Sequence, residues 1–231
     1  MTGSQHALPP AALRSQVGSA EIEDFLQTGQ RCAQDLEAAL RAAGKDFSSF
    51  TRILDFGCGC GRTIAWLRPH APAARLHGTN LHEKAIAWCR DHLTFAAFTV
   101  NAPRPPLDYP AQTFDLVYAI SVFTHLDEEA QFAWLGELRR VIRPQGIALL
   151  SVHGRYDWER LPGGHIATVT QAGIYCEPSR SLCPLYREHC HSTYHTKEYI
   201  LDRWSAYFTI LEYRPRGINN HQDLVVLRND R

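Results

Sequence analysis

An acid and three glycines at alternate positions form the segment Asp55-Phe56-Gly57-Cys58-Gly59-Cys60-Gly61. Glycine adopts backbone angles closed to other residues and lets a ligand approach the main chain. The pattern D-x-G-x-G-x-G therefore suits a loop that cradles a small molecule. It differs from the G-x-G-x-x-G spacing of dinucleotide binders and lacks the Gly-Lys-Ser/Thr ending of a phosphate loop. A second set of chemically capable residues lies further along. His125 and His153 follow two apolar runs and are candidates for a general base. His221, in His-Gln-Asp, is read as structural at the start of a strand. Tyr156, Trp158, His165, Tyr175, Tyr186 and Tyr194 crowd one stretch. Aromatic faces attract cations and wall off a dry pocket, and Tyr156 and Tyr175 are the expected pocket residues. Cys176, Cys183 and Cys190 stand seven apart, near His189, His191 and His195. Structural zinc sites favour closer cysteine pairs, so no metal is expected.

The elements that must position these residues alternate. A helical pattern over residues 21–43 places Phe25, Cys32, Leu36, Ala39 and Leu40 on one side, with Gly44 as its stop. Strands are expected over 51–56, 74–79, 94–100, 114–120 and 147–152. Helices are expected over 62–69, 83–92 and 127–142, the last capped by Asp127. Near-continuous apolar strands with helical crossovers imply a parallel sheet covered on both faces. Residues 1–18 read as frayed, and residues 154–195 as an irregular insertion of the kind that carries function. A helix over 196–205 and strands over 206–214 and 222–228 follow, the two strands joined as a hairpin. The whole of 1–231 reads as one domain with a cap helix and a substrate-covering insertion.

Composition narrows the partners. Twenty-four basic residues balance twenty-four acidic ones. No basic stripe points to nucleic acid, and no apolar segment is long enough for a membrane span. Seven cysteines without framework spacing fit reduced thiols, and the first twenty residues hold no apolar secretory core. A cytoplasmic protein acting on a small molecule is the expectation.

At LDFGCGCGR the chain resembles the class I S-adenosylmethionine (SAM)-dependent methyltransferases, in their small methyltransferase-domain branch. FDLVYAISVFTHLDEEAQFAWLGELRRVIRPQGIALLSVHG resembles the family's fourth strand, following helix and fifth strand, and HQDLVVL its closing strand. The resemblance covers roughly residues 21–153 and 196–228. It implies a Rossmann-like α/β fold, a seven-stranded, mostly parallel sheet between helices with the last strand antiparallel. It implies SAM as cofactor, with Asp55 orienting the loop and Gly57, Cys58 and Gly59 against the methionyl group and ribose. By position, Asn80 and Leu81 would meet the ribose and Asn101 and Ala102 the adenine. Ser121 and Val122 would lie beneath the sulfonium. Phe25 and Arg31 would close over the ligand, the arginine facing the SAM carboxylate.

Asn80 departs from the pattern, because the family usually places Asp or Glu there. An amide keeps one acceptor, loses the charge and gains a donor. The implied activity is methylation of a small molecule in specialised metabolism. An alternative on the same fold is a cyclase, in which the SAM amine attacks its own γ-carbon to give azetidine-2-carboxylic acid and methylthioadenosine. A third reading is a binding protein that kept the fold without catalysis.

Overall fold

The structure, a computed structural model, describes residues 7–178 and 191–230. After a short helix α1 (Ala11–Arg14) comes the long cap helix α2 (Ile22–Ala42). The chain then runs through β1 (Arg52–Phe56), β2 (Arg75–Asn80), α3 (Glu83–His92), β3 (Ala96–Val100), β4 (Phe114–Ala119), α4 (Glu128–Val141) and β5 (Ile142–Val152). Next come α5 (Arg155–Trp158), α6 (Gly163–Ala172), β6 (Ile174–Pro178) and β7 (His191–His195). Helix α7 (Lys197–Arg203) and strands β8 (Thr209–Ile218) and β9 (Gln222–Arg228) close the fold. The main sheet has seven strands in the order β3-β2-β1-β4-β5-β9-β8. All neighbours from β3 to β5 pair in parallel, whereas β9 runs antiparallel to both β5 and β8.

The apolar runs are continuous because both sheet faces are covered. Successive residues serve opposite cores. Ile53, Tyr118, Leu149 and Val226 pack with α2 and α3 on one face. Leu54, Val117, Leu150 and Val225 pack with Trp134, Leu138 and Trp204 on the other. The Asp127 carboxylate accepts from Ala130 N at 2.8 Å, which caps α4 as its position before the apolar stripe implies. Chain order reverses between β1 and β4, and ligands of open parallel sheets bind beyond the strand ends at such a switch point.

Four sequence expectations are corrected. Residues 62–69 form no regular helix. A 3₁₀ turn at Ile64–Trp66 is flanked by further turns, with Trp66 N bonded to Thr63 O and Leu67 N to Ile64 O. The β-branched pair Thr63 and Ile64 opens the segment and Pro69 disfavours helical angles before it, leaving too little chain to nucleate a helix. Residues 7–18 are ordered rather than frayed: Leu13 is buried, and Arg14 Nη1 donates to Pro9 O at 2.6 Å. The insertion is regular in its described part, with α6 ended by Gly173 at φ 78° and a β6–β7 hairpin that pairs Tyr175 with Tyr194. Strand β5 starts at Ile142, not 147; Phe114 pairs with Ile142 and Leu116 with Ile147, so a bulge absorbs Pro144, which has no N–H to give. Tyr186, Cys183, His189 and Cys190 lie outside the described residues.

The hairpin is pinned to the sheet by His195. Its N–H donates to His153 O at 2.9 Å, and its Nε2 meets Gln131 Oε1 at 3.0 Å. Burial pushes this imidazole down from 6.5 to about 3, with the nearby His153 acting in the same direction. The folded chain therefore holds His195 neutral where the unfolded chain takes up a proton. Its contribution to stability is complete above pH 6.5 and declines as pH falls toward 3. His195→Gln keeps a polar partner for Gln131 and removes the titration. The urea midpoint of the wild type is expected to drop between about pH 7 and 5 more steeply than that of the variant; parallel declines would contradict this.

Candidate active site

The glycine loop leaves β1 at the switch point and crosses onto β2, where Gly57 N and Cys58 N both donate to Thr79 O at 2.8 and 3.0 Å. Gly57 and Gly59 sit at φ +85° and +56°. A Cβ on Gly57 would lie 2.2 Å from Val122 Cγ2, and one on Gly59 would lie 2.5 Å from Val17 Cγ1. Both positions thus require glycine twice over, for angle and for space. The segment after α1 covers the loop, and Arg62 Nη1 donates to Val17 O at 2.5 Å.

Beneath the loop Asp55 is buried, and its Oδ2 accepts from Tyr118 Oη at 2.8 Å. Burial raises its carboxyl to about 7, opposed by the Tyr118 bond and the Arg62 charge. Burial also drives the thiols of Cys58 and Cys60 upward, the latter to about 12. They are protonated fillers of a tight loop, not nucleophiles.

At the end of β2, Asn80 is occupied on one side. Its Oδ1 accepts from His82 N at 2.8 Å, and His82 Nδ1 in turn accepts from Ala85 N at 3.0 Å to cap α3. Asn101 lies beside it: its N donates to Asn80 O at 3.2 Å, and its Oδ1 accepts from Thr79 Oγ1 at 2.8 Å. Asn101 Nδ2 reaches Ala102 O at 2.8 Å. Asn80, Leu81, Asn101 and Ala102 therefore share one sheet edge. Phe25 is buried on α2 and lines a small cavity with Cys60, Gly61 and Arg62, whereas Arg31 is exposed on α2 near Asp35.

Beyond β4 the chain turns sharply. Ser121 has φ +58°, a costly angle for a residue with a side chain. Its N donates to Ser151 Oγ at 2.8 Å, and Ser151 Oγ donates to Gln222 Oε1 at 2.8 Å. Gln222 Nε2 returns a bond to Ser121 Oγ at 2.9 Å. This ring ties β4, β5 and β9 together beside Val122.

Next to it stands the aromatic and imidazole cluster. The His153 ring lies 6.4 Å from His125, 6.4 Å from His221 and 5.2 Å from Tyr194, which it stacks against at 27°. Tyr175 stacks on Tyr194 at 6.3 Å and faces His165 at 4.7 Å. Tyr156 meets His221 edge-on at 5.6 Å. Burial holds the His153 imidazole down to about 4, with His125 and His221 pushing the same way. The structure thus gathers His125, His153, Tyr156 and Tyr175 at one end of the sheet, with Tyr194 among them. It adds residues that the sequence did not single out: Ser151, Gln222, Asp157 and Asp223. Among the described residues no three His, Cys, Asp or Glu side chains form a metal-binding group, and no helix is long and apolar enough to cross a membrane.

Comparison with known proteins agrees with this geometry. Residues 53–146, the span from β1 into β5, match the model of the methyltransferase domain family. Over that span the chain is similar to methyltransferase domains. Methyltransferase GfsG of Streptomyces halstedii is 28% identical over 144 residues, 59% of this chain and 49% of that protein. The tRNA N(3)-cytidine methyltransferase METTL2 of Gallus gallus is 26% identical over 152 residues, 56% of this chain and 39% of that protein. This chain therefore spans half or less of the curated relatives it matches. The fold of this chain is shared by a solved structure, the Burkholderia thailandensis 1,6-didemethyltoxoflavin-N1-methyltransferase with bound 1,6-didemethyltoxoflavin and S-adenosylhomocysteine. The TM-score is 0.61 at 16% identity, over 96% of this chain and 91% of that one.

Proposed function

We propose that this domain binds SAM along the glycine loop and transfers its methyl group to a small molecule of specialised metabolism. The observation that carries the reading is the positive-φ glycine loop at the β1–β4 switch point, with Val122, just beyond β4, packed against it. The residues fit such a ligand. Gly57 and Gly59 bare the main chain, Asp55 is a buried acid beneath it, and Asn80 and Asn101 offer amides at the neighbouring strand ends. When bound, SAM supplies an electrophilic methyl group on a sulfonium. The chain's part is to hold that ligand beside Ser121 and Val122 and to place the acceptor in line, since displacement by an oriented nucleophile needs chiefly proximity.

Charge and the relatives bear on the size of the acceptor. GfsG and the toxoflavin methyltransferase are by name methyltransferases, the latter solved with bound 1,6-didemethyltoxoflavin, while METTL2 is by name a tRNA methyltransferase. A polyanion is best met by a basic surface, and this chain has equal numbers of acidic and basic residues. That balance favours the small molecule. Incubation with SAM alone, read by mass spectrometry, separates the cyclase alternative: SAM is expected to remain intact. Build-up of methylthioadenosine with a four-membered cyclic amino acid would sink methyl transfer.

Asn80 sets the hold on the ribose. Its carbonyl serves His82, which leaves Nδ2, a donor, as the other polar atom of the amide. A carboxylate has oxygen lone pairs to serve His82 and still accept from ribose hydroxyls, and charge-assisted bonds are stronger. Asn80→Asp is expected to tighten SAM binding by several-fold, with melting temperature unchanged. A weaker dissociation constant in a folded variant would contradict this.

A further inference from the structure

We propose that Arg160 and Arg216, gathered over the ring of Tyr156, form an anion site that holds a carboxylate or phosphate group of the methyl acceptor. The inference rests on the methyl-transfer reading above in naming the bound molecule as the acceptor. The guanidinium carbon of Arg160 lies 3.5 Å from the Tyr156 ring centre, and that of Arg216 lies 4.3 Å from it. Two like charges at one ring repel each other, and an oxyanion that both can reach turns the repulsion into attraction.

The fold leaves these two charges uncancelled. Neighbouring arginines are paired: Arg155 with Glu159 at 2.6 Å, and Arg214 with Glu212 at 3.1 Å. Among the described residues neither Arg160 nor Arg216 forms an ion pair. Their guanidinium bonds go to main-chain oxygens, Arg160 Nη1 to Tyr156 O and Arg216 Nε to Asn220 O at 2.9 Å. The nearby carboxylates are engaged elsewhere. Asp157 Oδ1 lies 2.6 Å from His221 Nε2, and Asp223 accepts from Tyr213 Oη at 2.6 Å and Arg216 N at 2.7 Å. A guanidinium carries five N–H donors in a fork that matches carboxylate and phosphate oxygens, and each bond to a main-chain oxygen uses one of them.

Arg216 is also held at a cost. Its φ is +52°, a left-handed angle that strains a residue with a side chain. The angle falls where the β8–β9 register shifts between Arg214 and Ile218, and such bulges re-aim side chains next to active sites. Buried Asp223 pins the Arg216 N–H there. Glycine would serve this backbone better; what arginine adds is its side chain. The site adjoins the imidazole cluster, since the Tyr156 ring meets His221 at 5.6 Å and His221 lies 6.4 Å from His153. Arg160 and Arg216 are exposed and Tyr156 is half-buried, so a ligand reaches both guanidinia from solvent.

The test is fluorine NMR titration of 4-fluorobenzoate, 4-fluorophenyl phosphate and uncharged 4-fluorobenzamide, with and without S-adenosylhomocysteine. At least one anion is expected to bind about 10-fold or more tightly than the amide, the scale of hydrogen bonds to a charged group. The tighter of the two anions names the group as carboxylate or phosphate. Arg160→Gln and Arg216→Gly are each expected to weaken that anion about 10-fold, with S-adenosylhomocysteine binding unchanged. Because glycine accepts a positive φ, Arg216→Gly should melt within about 3 °C of wild type. An arginine that only packs on Tyr156 would instead lower the melting temperature and leave the anion unaffected. Overturning results are equal binding of anions and amide, no anion bound by a chain that binds S-adenosylhomocysteine, wild-type anion affinity in both variants, or a loss of affinity in Arg216→Gly that comes with a larger drop in melting temperature. A chain that binds the anion but no S-adenosylhomocysteine overturns the methyl-transfer reading, and the role of the anion as acceptor with it.

Discussion

Gly59→Val is expected to abolish SAM binding in a protein that still folds. The residue sits at φ +56°, where a β-branched side chain is strongly disfavoured, and its Cβ would start 2.5 Å from Val17 Cγ1. The valine methyls must enter either the covering segment around Val17 or the face where the ligand's methionyl group is expected. Moving the cover costs the Arg62 bond to Val17 O. Equilibrium dialysis with labelled SAM should show a dissociation constant raised at least about 100-fold, roughly 2.7 kcal/mol of binding energy. Far-ultraviolet dichroism should remain that of the wild type, because the loop is not part of a strand. Wild-type affinity would remove the glycine loop from the binding site.

The second large effect is on stability. Asp115, buried at the start of β4, accepts from Thr51 N at 2.8 Å, Thr51 Oγ1 at 2.7 Å and Arg52 N at 2.9 Å, and pairs with Arg143 Nη2 at 3.1 Å. It fixes the entry of β1 against β4 and ties both to the bulge before the main run of β5. Asp115→Ala removes one acceptor and strands several donors, each costing about 1–3 kcal/mol when buried without a partner. The exposed Arg143 contact adds little. A loss of about 3–5 kcal/mol follows, which lowers the melting temperature of a chain this size by about 10 °C or more. Asp115→Asn keeps one acceptor oxygen and should fall between the two. A melting temperature within about 2 °C of wild type for Asp115→Ala would contradict this assignment.

What could be read from the sequence was the part written in short-range pattern. Leu54 and Val117 announce strands buried on both faces, Asp127 announces the start of α4, and Gly57 and Gly59 announce a bared loop. The failures have local causes too. Residues 62–69 contain enough apolar spacing to suggest a helix, but Thr63, Ile64 and Pro69 oppose it, and the segment settles into turns. Helix α6 is hard to see because Ile166, Thr168, Val169 and Thr170 favour strands, and packing rather than propensity makes them helical.

The candidate site was legible only in part, for a different reason. His125 and His153 could be placed because each follows a recognisable strand. The pairing of Asp157 with His221 spans two elements far apart in the chain, and so does the ring of Ser121, Ser151 and Gln222. Nothing local marks either; the antiparallel return of β9 creates both. His221 reads as structural at the start of a strand, and the fold sets its ring 6.4 Å from His153 with its Nε2 2.6 Å from Asp157. The role of Asn80 was similarly hidden. Its departure from an acid was plain, but that its carbonyl is committed to His82 needed the turn geometry.

SAM binding at the glycine loop underlies every role proposed for this chain. Calorimetric titration of SAM into the purified chain, repeated in the presence of S-adenosylhomocysteine, tests it most directly. Saturable one-to-one binding that S-adenosylhomocysteine competes away is the expected result. A flat titration with folded protein would contradict it.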